Sequence, residues 1–148
     1  MHRSTPALAA LVLALPSAFA NPTAADPRGR YLTASGNLEV DVSPCGEALC
    51  GTVSKVVADH SMSRPGQAMQ AVDTRPALGM KILLDFKPDG DNAGTWQGQI
   101  YNRENGKTYD CRMTLDEAGN LQLRAYVGLP LFGKTQLWQR QAGAEAAK

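Results

Sequence analysis

The 148-residue chain is poor in aromatic residues (6%) and carries no surplus of either charge, with 15 Lys plus Arg against 14 Asp plus Glu. A uniform field of one sign, of the kind that gathers nucleic acid nonspecifically, is excluded. Cysteine numbers three and histidine two. One histidine, His60, beside the Cys45/Cys50 pair does not supply the three or four ligands of a zinc site. Long apolar runs are lacking too. The longest, Ala7 to Leu15, falls far short of the roughly 20 residues a membrane-crossing helix needs. A mass of 15.8 kDa leaves room for one domain.

What is present is a 43% apolar content with 14 Gly and 9 Pro, a mix that suits short strands and frequent turns. Residues 1–20 carry Arg3, the apolar run, Pro16 and then Ala18-Phe19-Ala20, which reads as a secretory signal peptide cleaved after Ala20. No cysteine follows that could be lipidated, so a periplasmic or secreted protein is expected. Residues 21–28 read as a flexible leader, 29–141 as the folded domain and 142–148 as a disordered Ala-rich tail.

Period-two alternation recurs through 29–141. Leu38, Val40 and Val42 alternate with polar residues, as do Trp96, Gly98 and Ile100, then Tyr109, Cys111, Met113 and Leu115, then Leu121, Leu123, Ala125 and Val127. Ser35-Gly36-Asn37, Asp89-Gly90, Asn105-Gly106 and Gly119-Asn120 supply turns between such runs. About eight strands result, near 29–33, 38–43, 49–57, 80–86, 94–101, 107–115, 119–127 and 134–140. The expected fold is all-β: an eight-stranded antiparallel up-and-down barrel with one long loop, whose closure removes exposed sheet edges. A two-sheet sandwich is the alternative. If the barrel closes, Arg140 on the last strand lies beside the first and can cap one end over Tyr31 or Trp138.

In an exported domain Cys45 and Cys50 flank one hairpin turn, and either a short disulfide or two half-buried thiols fits there. Cys111 lies on a dry strand face and reads as a small apolar filler. The long connection 58–79 breaks the rhythm. It holds His60, Arg64-Pro65-Gly66 and Asp73-Thr74-Arg75-Pro76, with a short helix expected near 67–72, and it is either a flap over the barrel end or a gate for a ligand.

Catalytic constellations are weak. Asp59, His60 and Ser61 have the residue types of an acyl-transfer triad, but adjacent positions rarely converge on one reacting point. Asp85, Asp89 and Asp91 resemble a calcium loop only superficially, since Lys87 stands where a further carboxylate should sit and no Glu closes the loop. Gly128 to Gly133 lacks the Lys-Ser/Thr ending of a phosphate loop. No metal and no cofactor is expected. Leu129, Leu131 and Phe132 in that same connection are expected to be buried under the barrel end or else offered to a partner. On the dry faces Phe86, Trp96 and Met113 are bulky while Gly98, Cys111 and Ala125 are small, so the middle is either filled or leaves a void for an apolar guest.

Taken together, Cys45-Gly46 with Leu49-Cys50-Gly51, Asp73 with Arg75-Pro76 and Leu78-Gly79, Gly98 to Tyr101 with Glu104-Asn105-Gly106-Lys107-Thr108-Tyr109, and Tyr126-Val127-Gly128 with Leu131-Phe132-Gly133 and Thr135 to Arg140 resemble the bacterial secreted family called Domain of Unknown Function 2147. Tyr31 stands where the lipocalin-like Gly-x-Trp pattern has Trp. The resemblance implies a lipocalin-like barrel that binds a small lipophilic molecule, and it implies no catalytic residue. The expected ligand contacts are Phe86, Trp96 and Met113 on the dry faces and Asp73, Arg75, Tyr101 and Tyr109 as polar groups. Asp73 and Arg75 can equally pair with each other and pin the loop. Two further classes stay open: an envelope interaction module using the apolar 128–133 connection, and a small-molecule enzyme with Asp73 and Tyr109 as acid and base.

Overall fold

The computed structural model describes residues 26–142, the Phe132 side chain excepted. The expected signal peptide, most of the leader and nearly all of the tail lie outside the described residues. Eight strands follow in order: β1 (Gly29–Leu32), β2 (Leu38–Cys45), β3 (Ala48–Val56), β4 (Lys81–Pro88), β5 (Trp96–Asn102), β6 (Lys107–Leu115), β7 (Leu121–Tyr126) and β8 (Lys134–Arg140). Each pairs antiparallel with the next, and β8 returns to β1 through Tyr31 opposite Arg140 and Leu32 opposite Gln139, so the sheet closes into a barrel. The sandwich is excluded.

Up-and-down topology sends alternate connections to opposite ends. One end, the base, collects the β2–β3, β4–β5 and β6–β7 turns. The other, the mouth, collects 33–37, 57–80, 103–106 and 127–133. At the base Tyr31 is fully buried and its hydroxyl donates to the Pro27 carbonyl at 2.8 Å. Arg140 lies over the Tyr31 ring, 4.9 Å from the centroid, and donates to the carbonyls of Gly119, Arg28 and Asp26. The expected cap is therefore in place. Arg140→Met should lower stability by about 2 kcal/mol, because it removes the cation over the Tyr31 ring and leaves the part-buried Gly119 carbonyl without a charged donor; the urea midpoint reads this out.

Above the cap the base half is solid. Phe86, Met113, Leu121 and Leu123 are all within 1% of full burial. Gly98 makes this possible: a Cβ there would sit 2.6 Å from the Leu84 carbonyl oxygen and 2.7 Å from the Phe86 ring. The small residue expected to leave a void is instead the slot into which Phe86 fits.

Strand β4 departs from simple alternation. A strict two-residue period through Phe86 would bury Ile82 and Leu84 with it, yet Leu83 is fully buried and Leu84 only half-buried. The register slips against both neighbours, and between Leu84 and Lys87 an extra residue is absorbed where Asp85 takes a left-handed φ of 51°. This is a β-bulge, and each bulge reverses the side-chain phase. Asp is among the residues that tolerate that backbone region best. Strand β7 also ends one residue early, leaving Val127 exposed.

A disulfide joins Cys45 to Cys50 across the β2–β3 turn, with Cα atoms 5.8 Å apart. The closed loop is short, so reduction should cost only about 2 kcal/mol in the chain-entropy account. Cys111 is fully buried, and burial pushes its thiol up to about 12. It should resist alkylation in the native protein and react only after unfolding, as mass analysis would show.

Candidate functional site: a half-hollow lumen under a folded loop

The mouth half of the barrel is open space. A cavity of about 590 Å³ lies there, within the range of small-molecule sites. Its floor is Trp138, whose indole N–H donates to Gln136 Oε1 at 2.8 Å. Leu38, Ile82, Ile100 and Ala125 form apolar wall, and Tyr101, Tyr109, Tyr126, Asn102 and Gln136 add polar groups. Arg103 and Lys134 are the charged lining residues; among the described residues no carboxylate lines the cavity.

The connection 57–80 folds across the mouth and adds Met62 and Met69 to the lining. It contains no helix at 67–72. Pro65-Gly66 turns the chain back, and the backbones of Gln67 and Met69 are committed to Ser61 and Asp59 through Ser61 N–H to Gln67 O (2.8 Å) and Met69 N–H to Asp59 O (2.9 Å). The two arms form a small antiparallel bridge between His60 and Ala68 instead.

Two polar side chains from neighbouring turns hold this lid. Asn37, 2% exposed, accepts the His60 N–H at 2.9 Å and donates to the His60 carbonyl at 2.8 Å. Glu104, buried in the β5–β6 turn, accepts from the Ser61 hydroxyl, from the Ser63 hydroxyl at 3.1 Å and from the Met62 N–H at 2.9 Å. The Ser61 bond is foremost in holding its carboxyl below the usual carboxylate range. A lowered pKa means the latch is complete above the unfolded value and weakens as pH falls through the folded one. Hydrogen-exchange protection at Ser61 to Met69, taken relative to the intrinsic rate at each pH, should therefore fall in acid, and Glu104→Ala should remove that protection at neutral pH. Neither anchor is visible in the sequence pattern, because each lies in a turn and its partners are more than 20 residues away. The Ser61-Met62-Ser63 hydroxyl pair is the one local hint.

Of the anticipated contacts, Tyr101 and Tyr109 line the cavity and Phe86, Trp96 and Met113 do not. Phe86 and Met113 are locked in the solid half, and Trp96 begins β5 beside the base. Asp73 and Arg75 also lie outside the lining. Their carboxylate and guanidinium pair at 2.5 Å, and the Tyr101 hydroxyl donates to the same carboxylate at 2.6 Å. The Arg75 guanidinium, then Tyr101, hold the Asp73 carboxyl far below its ordinary range. That pair pins the loop to β5. The Tyr109 hydroxyl accepts from Asn105 Nδ2 at 2.8 Å and makes no hydrogen bond to Asp73.

The other sequence constellations disperse. Asp59 pairs with Arg103 at 2.6 Å, Ser61 bonds Glu104, and His60 is held through its backbone. Cys45, Cys50 and Asp85 approach one another, but both sulfurs are spent in the disulfide. Leu129 and Leu131 are 62% and 77% exposed, so of the two expected placements burial under the barrel end does not occur. Arg124 explains this: its guanidinium donates to the Pro130 and Leu131 carbonyls and to the Thr135 hydroxyl, holding the 3₁₀ turn Pro130–Phe132 on the outer rim while the lid occupies the opening. The Phe132 side chain lies outside the described parts.

A closed antiparallel eight-stranded barrel, solid at one end and hollow at the other, is lipocalin-like. Residues 29–140 match the family described as "Uncharacterized protein conserved in bacteria (DUF2147)", and the chain belongs to that family. Among solved structures it is similar to protein HP1028 of Helicobacter pylori, described as belonging to the lipocalin family, at 20% identity and TM-score 0.58, over 80% of this chain and 84% of that one. No curated protein matches the chain.

Proposed function

We propose that the chain is a noncatalytic binding protein of the bacterial envelope that holds one small lipophilic or amphipathic molecule in the mouth half of its barrel. The observation that carries this reading is the 590 Å³ cavity, walled by Leu38, Ile82, Ile100 and Trp138 directly above a fully packed base. Apolar volume of this size is costly to leave empty and favours an apolar guest. Lys134, a lining cation with no ion pair among the described residues, favours a neutral or anionic polar end on that guest, whereas Arg103 is already paired with Asp59. The disulfide and the bacterial family fit an extracellular or periplasmic protein; the finer reading is export by a signal peptide cleaved after Ala20.

Titration with an environment-sensitive lipophilic fluorophore, followed by displacement with an organic extract of envelope, tests the reading. Saturable uptake by one site and displacement by the extract are expected. A protein that takes up no probe would contradict it.

A further inference from the structure

The apolar side chains that the fold leaves in water are distributed unevenly. Met62, Val72, Leu78, Val127, Leu129 and Leu131 are 48% to 77% exposed and all belong to mouth connections. Val56, the last residue of β3, and Val57, the first of the connection that follows, are also exposed at that same end. Leu137, on the outer wall of β8, is the one exposed large hydrophobic elsewhere among the described residues. The base turns expose none.

Charge divides along the same axis. At the mouth Arg64, Lys81, Lys107 and Lys134 are exposed and make no ion pair among the described residues. The acids of the mouth connections are neutralised or covered: Asp59 is paired with Arg103, Asp73 with Arg75, and Glu104 is buried beneath the lid. The base turns carry Glu47, Asp91 and Glu117 exposed, against Lys87 as an exposed cation without an ion pair at the base end of β4. A near-neutral chain thus presents an apolar, cationic mouth and an acidic base. That polarity orients the molecule in the field of an anionic surface.

We propose that the mouth end docks on a bilayer surface bearing anionic phospholipid headgroups, with Leu129 and Leu131 entering the headgroup layer and Lys81 and Lys107 contacting phosphates. The apolar tips stand on two connections at the opening, Met62, Val72 and Leu78 on 57–80 and Val127, Leu129 and Leu131 on 127–133, with Arg64 and Lys81 beside the first and Lys134 beside the second. Apolar tips interleaved with cations suit a soft anionic interface better than one rigid protein partner, which needs a contiguous core depleted of charge. No described helix is long and apolar enough to cross a membrane.

Flotation of the purified protein with vesicles tests this independently of whether the lumen is loaded. Vesicles of phosphatidylcholine with about one quarter phosphatidylglycerol should carry the protein at low salt, and pure phosphatidylcholine vesicles should carry at least roughly tenfold less. Lys81→Gln and Lys107→Gln should each weaken binding about fivefold. Leu129→Asp with Leu131→Asp should abolish it, while lipophilic-probe uptake stays unchanged because neither residue lines the cavity. Absence of binding to the anionic vesicles, equal binding to both compositions, or unaltered binding by the double Asp variant would overturn the assignment. So would concentration-dependent dimerisation in the absence of vesicles that the double Asp variant abolishes, since the mouth would then cover a second copy. Loss of probe uptake with intact vesicle binding would sink the lumen reading alone.

Discussion

Ala125→Trp is expected to weaken binding of a lipophilic probe by at least tenfold, with the far-ultraviolet spectrum and the urea midpoint little changed. Ala125 sits on β7 opposite Cys111 and Lys134 and lines the hollow half. An indole there projects into open volume. The overpacking penalty of about 1–3 kcal/mol seen in well-filled cores is accordingly reduced. A tenfold loss corresponds to about 1.4 kcal/mol, which exclusion of part of the guest readily exceeds. Gly98 gives the control in the other half, where even a methyl group meets the Leu84 carbonyl and the Phe86 ring below 3 Å. Gly98→Ala should destabilise the barrel more than the far larger change at Ala125. Equal tolerance at both positions would mean the lumen is not divided as described.

Phe86→Ala should cost about 3–5 kcal/mol, the usual range for emptying a fully packed aromatic site. Phe86 is 1% exposed, touches the Gly98 slot and pairs across to Leu49 on β3. Native domains commonly hold only about 5–15 kcal/mol in total, so the variant should lie near the edge of folding. Ile82→Ala, on the cavity wall, should cost less, near 2 kcal/mol, because one side of Ile82 already faces empty space. The difference between the two urea midpoints measures the asymmetry of the lumen. A cost for Ile82→Ala equal to that for Phe86→Ala would count against a hollow mouth.

The strands were legible because their information is local. Leu38, Val40 and Val42, or Leu121 and Leu123, declare an inner face by alternation alone, and the Asn105-Gly106 turn marks where one strand ends. The Arg140 cap followed from closure, since only a barrel makes β8 a neighbour of β1. The β4 bulge was not legible, because Asp85 reads as an ordinary polar strand residue and only packing of Leu83 over Gly51 fixes the phase. Division of the lumen into solid and hollow halves also escaped the pattern. Inward-facing residues are equivalent in a two-residue period, and height along the barrel axis decides whether Met113 fills the base or Tyr109 lines the mouth. The lid anchors Asn37 and Glu104 lie furthest from reach, being single polar residues in turns whose meaning comes from partners distant in sequence.

Native mass spectrometry of the protein purified under gentle conditions from its own host addresses the binding reading most directly. One adduct per chain, released by organic solvent and missing from Ala125→Trp, is the predicted result. A bare polypeptide mass from every preparation, together with an unfilled site that accepts no lipophilic compound, would contradict it.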